Sequence, residues 1–350
     1  MSLGTWLEDR LKWRAADDFL RHKSVPINRH WYVYYFGGIT LFLFIIQVVT
    51  GLLLLMYYRP TAEAAHESVR FIMAKVPFGW LVRSIHSWAA NLMVFWVFAH
   101  MFGSFFVRAY RRPRELTWMS GALLLFLTVG FGFTGYLLPW NTLAYFATKV
   151  GTEIVGAVPG VGHFLLVLLR GGEDVTQATL SRFFGIHVAI LPALIGIVLG
   201  LHLFLVQLHG MSRADERGPG RAYAFVPQFV LREALVWVMT IGVLAALAVL
   251  LPWPVGEKAD PLAPAPAGIR PEWYFVFMFQ TLKLIPSHVL GIEGELVGIV
   301  GFTLAALVLL AVPMLDRGDQ KTRARRIALM IGVFAVLYMA GMTIFGYLVP

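Results

Sequence analysis

Residues 83–100 read RSIHSWAANLMVFWVFAH, and residues 187–202 read HVAILPALIGIVLGLH. Each stretch is mostly apolar and carries two histidines, fourteen residues apart in the first and fifteen apart in the second. In an α-helix, such spacings place both histidines of a pair within roughly 40–60° of one face and about 21–22 Å apart along the axis. Of all the features of the sequence, these two matched pairs restrict the possible functions of the chain most.

The histidine pairs predict two haems. A titratable side chain in hydrocarbon is costly, so intramembrane histidines usually have a function. If the two helices face each other, His86 lies opposite His187 at one depth, and His100 lies opposite His202 at another. Each meeting offers two imidazole nitrogens to one iron, the ligand set of a low-spin b-type haem. The alternative is four unrelated packing or proton-relay histidines.

The composition indicates a polytopic membrane protein. Of the 350 residues, 58% are hydrophobic and only 14% are charged, unlike a soluble globular domain. The first apolar segment lacks the features of a signal peptide, so we expect no removed leader. We predict an all-α membrane protein with about seven transmembrane helices, near residues 32–58, 80–107, 115–136, 178–208, 233–251, 296–315 and 327–347.

Cysteine is absent, which excludes iron–sulfur clusters and thioether-linked haem held by this chain. The formal net charge is +9, and the basic residues divide by loop. Nineteen lysines and arginines fall in four loops, against eight in the longer alternate loops. The positive-inside rule therefore predicts a cytoplasmic N-terminus, and we expect no nucleic-acid partner. The basic loops are 1–30, 108–114, 210–232 and 316–326; the alternate loops are 59–79, 137–177 and 252–295.

Glycines repeat the histidine interval on two further helices. Gly37 and Gly51 on the first span are fourteen residues apart, as are Gly121 and Gly135 on the third. Because glycine lacks a Cβ, a flat macrocycle can approach the backbone there. The alternative is ordinary helix packing, which small residues also favour.

Arg83 lies one turn before His86, on the same helical face. Its guanidinium can form a charge-assisted pair with a haem propionate. The alternative is an interfacial arginine whose side chain extends to water.

A proline-rich loop indicates a second site. Residues 252–271 hold six prolines and lead into the motif PEWYF at 271–275. A partly desolvated Glu272 can accept a proton from a quinol hydroxyl while the aromatic rings enclose the quinol, and Tyr274 supplies a nearby hydroxyl. The alternative is an ordinary solvated glutamate. The stiff segment Pro139-Trp140 emerges on the same side of the membrane.

Four motifs spread along the chain resemble those of cytochrome b of the quinol-oxidising cytochrome bc and cytochrome b6f complexes. The end of the chain after seven spans and the fifteen-residue histidine spacing resemble the photosynthetic branch. The chain is most similar to a cytochrome b6 fused to the three-helix subunit IV. This implies a dihaem four-helix bundle over 1–212 and a three-helix domain over 213–350. The motifs are RSIHSW at 83–88, RPRELTW at 112–118, GYLLPW at 135–140 and PEWYF at 271–275.

The resemblance also implies roles for individual residues. His86 with His187 would hold the outer, low-potential haem, and His100 with His202 the inner, high-potential haem. Both haems would be of b type and bound without covalent attachment. The quinol-oxidising pocket would contain Glu272, Tyr274, Pro139, Trp140, Pro271 and Trp273.

The implied reaction is a bifurcated quinol oxidation. A Rieske-type iron–sulfur protein would take the first electron, and the second would cross the two haems to reduce quinone at the inner face, generating a proton-motive force. A c-type cytochrome subunit, membrane lipid and a second copy of the complex would be partners. The expected location is the cell inner membrane or an equivalent energy-transducing membrane.

Three positions depart from the resemblance. The photosynthetic branch has a cysteine that attaches an extra haem where this chain has Tyr35, so we expect no covalent haem. Gln207 stands where that branch has an arginine that assists the extra haem. Asn141 replaces an acid found in relatives, which predicts altered proton handling in the outer pocket.

Two other function classes share part of this pattern. A dihaem membrane anchor of a hydrogenase or formate dehydrogenase would carry the histidines, but it has no need of the PEWYF motif. A secondary transporter with proton-relay histidines would show no haem spectrum, and the chain has no paired broken-helix repeat. Candidates for an inner quinone site are His209, Arg232, Glu233, Arg29 and His30; each is otherwise an ordinary interfacial residue.

Overall fold

The computed structural model describes residues 2–12, 22–27, 30–212, 221–316 and 322–349. Within these ranges, seven helices are long and apolar enough to cross a membrane, which confirms the predicted fold class. The candidate spans are Trp31–Leu55, Gly79–Phe106, Glu115–Leu137, Gln177–His209, Phe225–Leu250, Gly294–Leu315 and Arg325–Leu348.

The fifth span differs from the sequence prediction, which starts it at residue 233. Its regular helix begins at Val230, in front of Arg232 and Glu233, and follows a turn over Phe225–Phe229 in which Val226 has an extended backbone. Two adjacent charges look like a helix boundary in the sequence, yet here they lie within the helix. The proposed domain boundary at 212/213 adjoins residues 213–220, which lie outside the described part of the chain.

The α-helices are numbered in chain order. The first half contains α1 Leu3–Leu11, α2 Tyr34–Leu55, α3 Ala65–Lys75, α4 Gly79–Phe106, α5 Glu115–Leu137, α6 Thr142–Gly156, α7 Gly162–Arg170, α8 Gln177–Gly185 and α9 Leu191–His209. The second half contains α10 Val230–Leu250, α11 Trp273–Leu284, α12 Gly294–Leu315 and α13 Thr322–Leu348. Two short antiparallel pairs join β1 Ser24–Pro26 to β2 Ala222–Ala224, and β3 His288–Val289 to β4 Ile292–Glu293.

The spanning helices form one packed unit. In the four-helix bundle, α2 and α5 each pack against α4, and α9 packs against α5. Outside this bundle, α10 lies against α2 and α4, α12 lies against α5, and α13 packs mainly on α11. A buried apolar cluster of Ile39, Leu43, Ala89, Met93 and Leu244 ties α2, α4 and α10 together.

The spans alternate in direction and so define two faces. The N-terminal face contains the start of α2, the loop after α4, the end of α9, strands β1 and β2, and the end of α12. The loop face contains α3, α6, α7, the proline-rich loop and the start of α11. Strand β1 precedes the first span and β2 follows the fourth, so their pairing joins the two halves of the chain on the N-terminal face.

A π-helical turn, Ile186–Ile190, links α8 and α9 within one span and contains His187. Pro192 follows at the start of α9. Proline has no N–H to donate and its ring clashes with the carbonyl four residues earlier, so the preceding turn widens. A π turn takes up about one residue more than an α turn. The fifteen-residue spacing between His187 and His202 is therefore geometrically equivalent to the fourteen-residue spacing of His86 and His100: both place the two histidines on one face of the helix.

Asp316, just after α12, is anchored to the loop that follows α4. Arg108 Nε donates to Asp316 Oδ2 over 3.0 Å, and the Tyr110 hydroxyl donates to the same oxygen over 2.6 Å. Partial burial of Asp316 raises its pKa, but the hydrogen bonds from Arg108 and Tyr110 outweigh this effect, and the pKa lies below its usual range. The carboxylate therefore stabilises the contact between the four-helix bundle and the later helices.

Replacing Asp316 with asparagine should lower the free energy of unfolding by about 1–3 kcal/mol, because the partly buried Arg108 loses a charged acceptor. Since the folded-state pKa is depressed, the wild-type advantage is full above the usual aspartate pKa and is lost as the pH falls through the lower folded value. Thermal unfolding in detergent at several pH values measures both effects.

The matched control is Glu115→Gln, because Glu115 pairs over 3.6 Å with Arg112, whose side chain is 96% exposed. An exposed pair contributes little. Equal losses of stability in the Asp316 and Glu115 variants would contradict the anchoring role.

Candidate dihaem site and loop-face pocket

The four histidines of the two sequence pairs, His86, His100, His187 and His202, lie inside the bundle and form two pairs across it. The rings of His100 and His202 have centroids 6.5 Å apart and are nearly perpendicular. His86 and His187 interact electrostatically nearer the loop face. Within the described ranges, no three His, Cys, Asp or Glu side chains cluster to hold a metal ion. Each pair therefore offers two protein ligands, and the donor set fits a haem iron bound by two imidazoles.

Hydroxyl groups orient three of these imidazoles. Each hydroxyl donates to a main-chain carbonyl one turn earlier, so its oxygen is left to accept from the histidine Nδ1–H. This arrangement leaves the Nε2 lone pair for a metal. The contacts join His86 Nδ1 to Thr50 over 2.8 Å, His202 Nδ1 to Ser120 over 3.0 Å and His187 Nδ1 to Thr134 over 3.2 Å.

Each of the four glycines faces one of the four imidazoles. A Cβ on any of them would come within 3.3 Å of a histidine Cε1 atom. All four distances are tighter than ordinary van der Waals contact, so the helices can approach the rings this closely because the side chain is absent. The distances are 3.0 Å for Gly37 to His100, 3.3 Å for Gly51 to His86, 3.1 Å for Gly121 to His202 and 2.6 Å for Gly135 to His187.

The orienting hydroxyls are functional residues that the sequence reasoning missed. A signal for them exists, because Thr50, Ser120 and Thr134 each stand directly before one of the four glycines. Phe36 occupies the corresponding place before Gly37, and the buried Nδ1 atom of His100 has no hydrogen-bond partner among the residues that the structure describes. The bundle therefore orients His100 by packing rather than by a hydroxyl.

Arg83 is buried and engages the proline-rich loop. Its Nη1 donates to the Trp253 carbonyl over 2.6 Å, and its Nη2 donates to the Pro254 carbonyl over 3.0 Å. Nearby, Ser84 accepts from the Trp253 amide over 3.1 Å. Arg83 thus holds the loop against the helix that carries His86, a contact the sequence did not indicate. Its expected pairing with a haem propionate stays a prediction.

Glu272 lies at the start of α11 on the loop face. Burial of its side chain raises the pKa of the Glu272 carboxyl above the usual glutamate value. The phenols of Tyr136, Tyr274 and Tyr347 all lie close enough to interact electrostatically with Glu272. The Tyr274 hydroxyl reaches α5, where a Cβ on Gly132 would lie only 2.2 Å from it. The pocket therefore combines a desolvated carboxyl group with phenolic hydroxyls.

Two predicted pocket residues have clear structural partners elsewhere. The Trp273 Nε1 donates to Asn91 Oδ1 over 2.9 Å, which joins the start of α11 to α4. Trp140 is buried, and its ring lies edge-on to Tyr145 at 5.5 Å. Trp140 thus belongs to the apolar core beneath the loop-face helices. Pro139 and Pro271 flank these aromatic residues in the chain.

Asn141 has a structural role at this face. Its Oδ1 accepts from the Ala144 amide over 2.9 Å and so caps α6. Its Nδ2 donates to the Val255 carbonyl over 2.8 Å. The side chain therefore joins the start of α6 to the proline-rich loop, which gives a physical reason for an amide at this position.

Candidates for the inner quinone site lie on the N-terminal face. The Glu233 Oε1 accepts from the Trp237 indole over 3.0 Å, whereas its buried Oε2 has no hydrogen-bond partner. Its carboxyl group fills the space beside Gly38, where a Cβ would clash. Arg232 lies over the Tyr223 ring, 4.8 Å from its centroid. Arg29 lies outside the described residues.

An aromatic stack fills the space around Tyr35. Tyr35 is buried and stacks on Phe229 with ring centroids 5.1 Å apart, and Phe229 stacks on Phe225 at 5.3 Å. Nearby, Lys23 Nζ donates to the Gln207 side chain. Tyr35 thus contacts an aromatic side chain of the same chain, Phe229, and Gln207 contacts Lys23.

Two family descriptions match the chain, "Cytochrome b/b6/petB" over residues 22–210 and "Cytochrome b(C-terminal)/b6/petD" over residues 258–350. A cytochrome bc complex cytochrome b subunit of Chlorobaculum thiosulfatiphilum is 48% identical over 326 residues, covering 92% of this chain and 75% of that protein. A cytochrome b6 of Chlamydomonas reinhardtii is 44% identical over 207 residues, covering 59% of this chain and 96% of its own length.

A solved structure also matches. The chain is similar to one in a hyperthermophilic respiratory Complex III, with a TM-score of 0.87, 32% identity, and coverage of 99% of this chain and 91% of the other. The sequence and structure comparisons thus cover both halves of the chain. The chain belongs to the cytochrome b/b6 family and is a cytochrome b of a bc/b6f-type complex.

Proposed function

We propose that this chain oxidises quinol at its loop face, carries electrons across the membrane through two b-type haems, and reduces quinone at its N-terminal face. The observation that carries this proposal is the two imidazole pairs inside the helix bundle at different depths, each imidazole facing a glycine. Paired neutral imidazoles suit electron transfer, since they leave iron no open position for a gas or substrate.

The haem assignment follows from depth. His86 and His187 would hold the haem nearer the loop face, and His100 and His202 the haem nearer the N-terminal face. When bound, each haem supplies one-electron redox chemistry. The protein's part is to orient the imidazoles through Thr50 and its counterparts and to exclude water.

We infer that no covalent haem is attached beside the inner pair. The chain has no cysteine, and the stack of Tyr35 on Phe229 and Phe225 supports this inference because it fills that region with aromatic rings. A macrocycle there would require these side chains to move.

Quinol oxidation would begin with transfer of a hydroxyl proton to the Glu272 carboxylate. The raised pKa of Glu272 makes it a better proton acceptor near neutral pH than an ordinary glutamate. Tyr274 and Tyr136 would orient the quinol oxygens through their hydroxyls. A Rieske-type partner would take the first electron, and the second would enter the loop-face haem.

Membrane orientation follows from the basic loops of the N-terminal face, which we place in the cytoplasm. Electrons moving inward then work against the membrane potential, at roughly 2.3 kcal/mol per 100 mV for each charge. At the inner end, Glu233 would deliver protons to the quinone, a role that its unpartnered buried oxygen supports. The membrane is the cell inner membrane or an equivalent energy-transducing one.

The proposed assembly contains a Rieske-type iron–sulfur protein, a c-type cytochrome subunit and a second copy of the complex. The proposed division of the chain is a dihaem domain over 1–212 and a three-helix domain over 213–350. A dihaem anchor for another oxidoreductase accounts for the histidines but not for the desolvated carboxyl among phenols at Glu272.

Replacing His187 with alanine should remove the loop-face haem and leave the other, because only one ligand of one pair is lost. Haem extraction and the visible spectrum of the purified protein measure this as a fall from two haems per chain to one. The control is His163→Ala, a histidine whose side chain is 77% exposed and pairs with Glu173. Retention of both haems in the His187 variant would disprove the pairing.

Replacing Thr134 with valine should raise the midpoint potential of the loop-face haem and leave the second haem unchanged. An imidazole whose Nδ1–H donates to oxygen is a stronger ligand for oxidised iron, so losing the acceptor favours the reduced form. A spectroscopic redox titration measures the shift. The control is Thr128→Val on the same helix, because the Thr128 hydroxyl donates to the Leu124 carbonyl and contacts no histidine. Equal potentials in both variants would contradict the orienting role.

Replacing Glu272 with glutamine should slow quinol oxidation by about 10²–10⁴-fold, the usual contribution of a proton acceptor. In the wild type, the rate should rise with pH through the raised pKa of Glu272, since only the ionised form accepts a proton. The variant should lose this rise. Glu257→Gln, on the exposed part of the same loop, should behave as wild type. A Glu272 variant with the wild-type rate across pH would exclude this role.

A further inference from the structure

Asn91 is a polar side chain inside the second membrane span, and the proposed mechanism does not use it. It lies on α4 five residues after His86, about 7.5 Å further along the axis and roughly 140° around it. Asn91 therefore lies on a different side of α4 from the haem ligand. An amide in hydrocarbon is costly unless it is satisfied, so such a residue usually has a function.

The Asn91 amide joins its own helix to the start of α11. Its Nδ2 donates to the Ser87 carbonyl one turn earlier over 3.0 Å, and its Oδ1 accepts from the Trp273 indole over 2.9 Å. Only one orientation of the amide satisfies both partners, because a carbonyl only accepts and an indole only donates. The bond to Ser87 thus directs the amide oxygen towards Trp273.

Two aromatic side chains hold the first turn of α11 between two helices of the haem bundle. Trp273 is bound to α4 through Asn91, and the Tyr274 hydroxyl lies against Gly132 on α5. Glu272 directly precedes this turn, and its side chain makes no capping hydrogen bond among the described residues. The position of Glu272 therefore depends on the contacts of the two residues that follow it.

We propose that Asn91 is a positioning residue for quinol oxidation, whose hydrogen bond to Trp273 fixes the first turn of α11 and so aligns Glu272 with the quinol hydroxyl. This inference rests on the proposed role of Glu272. Asn91 is not itself catalytic, because it acts through Trp273. Since Asn91 and His86 share α4, the same bond fixes the pocket relative to the ligand of the loop-face haem.

A hydrogen bond between two membrane helices can also serve only to hold them together. Such a role predicts lower stability without a selective effect on quinol oxidation. The position of this bond favours alignment, because it ends on the residue next to Glu272. A reacting group displaced by about 1 Å can slow a reaction by about 10²-fold, so a small shift of this turn has a measurable effect.

The test replaces Asn91 with leucine, which has a similar size but cannot accept from the indole, in the whole complex. We expect kcat for oxidation of a short-chain quinol to fall about fivefold, the effect of one hydrogen bond on the population of the aligned pocket. KM should change by less than about twofold, and the rise of the rate with pH should remain, since Glu272 is still present. An unchanged kcat, with or without a higher KM, would overturn the proposal.

The matched control is Trp118→Phe. It removes an indole hydrogen bond of the same kind, donated to the Leu309 carbonyl over 2.7 Å, which joins α5 to α12 on the N-terminal face. Both variants should unfold at a lower temperature, but only Asn91→Leu should slow quinol oxidation. Equal slowing in both variants would show a general loss of packing and would overturn the proposal.

A double-mutant cycle with Trp273→Phe tests the route through the indole. Asn91→Leu should slow oxidation about fivefold beside Trp273 but by less than about twofold beside phenylalanine, which has no N–H to donate. The full effect in both backgrounds would mean that Asn91 acts on another group, which would overturn the proposal.

Glu272→Gln, measured in parallel, separates this inference from the function on which it rests. A Glu272 variant as fast as the wild type would remove the proposed function and this inference with it. A slow Glu272 variant beside an Asn91 variant of wild-type rate would overturn the positioning role alone. Both haems and their midpoint potentials should stay unchanged in Asn91→Leu, and loss of either haem would overturn the proposal, since the effect would then lie in the haem bundle.

Discussion

Burial of neutral imidazole rings in a membrane-spanning bundle is the constraint on which this structure depends. A polar ring in hydrocarbon destabilises the helix unless its nitrogens are satisfied. Three of the rings satisfy Nδ1 through a hydroxyl on a neighbouring helix, which leaves the Nε2 lone pair available to a metal. This arrangement fits the proposed haem irons, each of which would accept two nitrogen lone pairs.

The same constraint shapes the neighbouring helices. Thr50-Gly51, Ser120-Gly121 and Thr134-Gly135 each present a hydroxyl to one ring nitrogen and a bare backbone to the ring itself. Hydroxyl and glycine must be adjacent because they meet the same imidazole from one helix. On the second ligand helix, the π turn before Pro192 restores the spacing that this geometry requires. Helix packing, backbone irregularity and ligand orientation are thus consequences of one requirement.

Much of this could be predicted from the sequence, because apolar length and the interval of fourteen residues are local properties. The seven spans and the repeat of the histidine interval by the glycines follow from them, whereas the contact of each glycine with an imidazole ring does not. Contacts between distant segments could not be read in this way. The hydrogen bonds from Arg83 to the Trp253 carbonyl and from Asn141 to the Val255 carbonyl depend on the position of the proline-rich loop. The early start of the fifth span was missed because Arg232 and Glu233 look like a boundary.

The central claim is that this chain holds two non-covalent b-type haems at different depths. A redox-titrated difference spectrum of the purified protein, combined with the haem-to-protein ratio before and after acid–acetone extraction, tests it most directly. We expect two extractable haems per chain that titrate at separate midpoint potentials. A chain with no haem, with one haem, or with haem that resists extraction would contradict it.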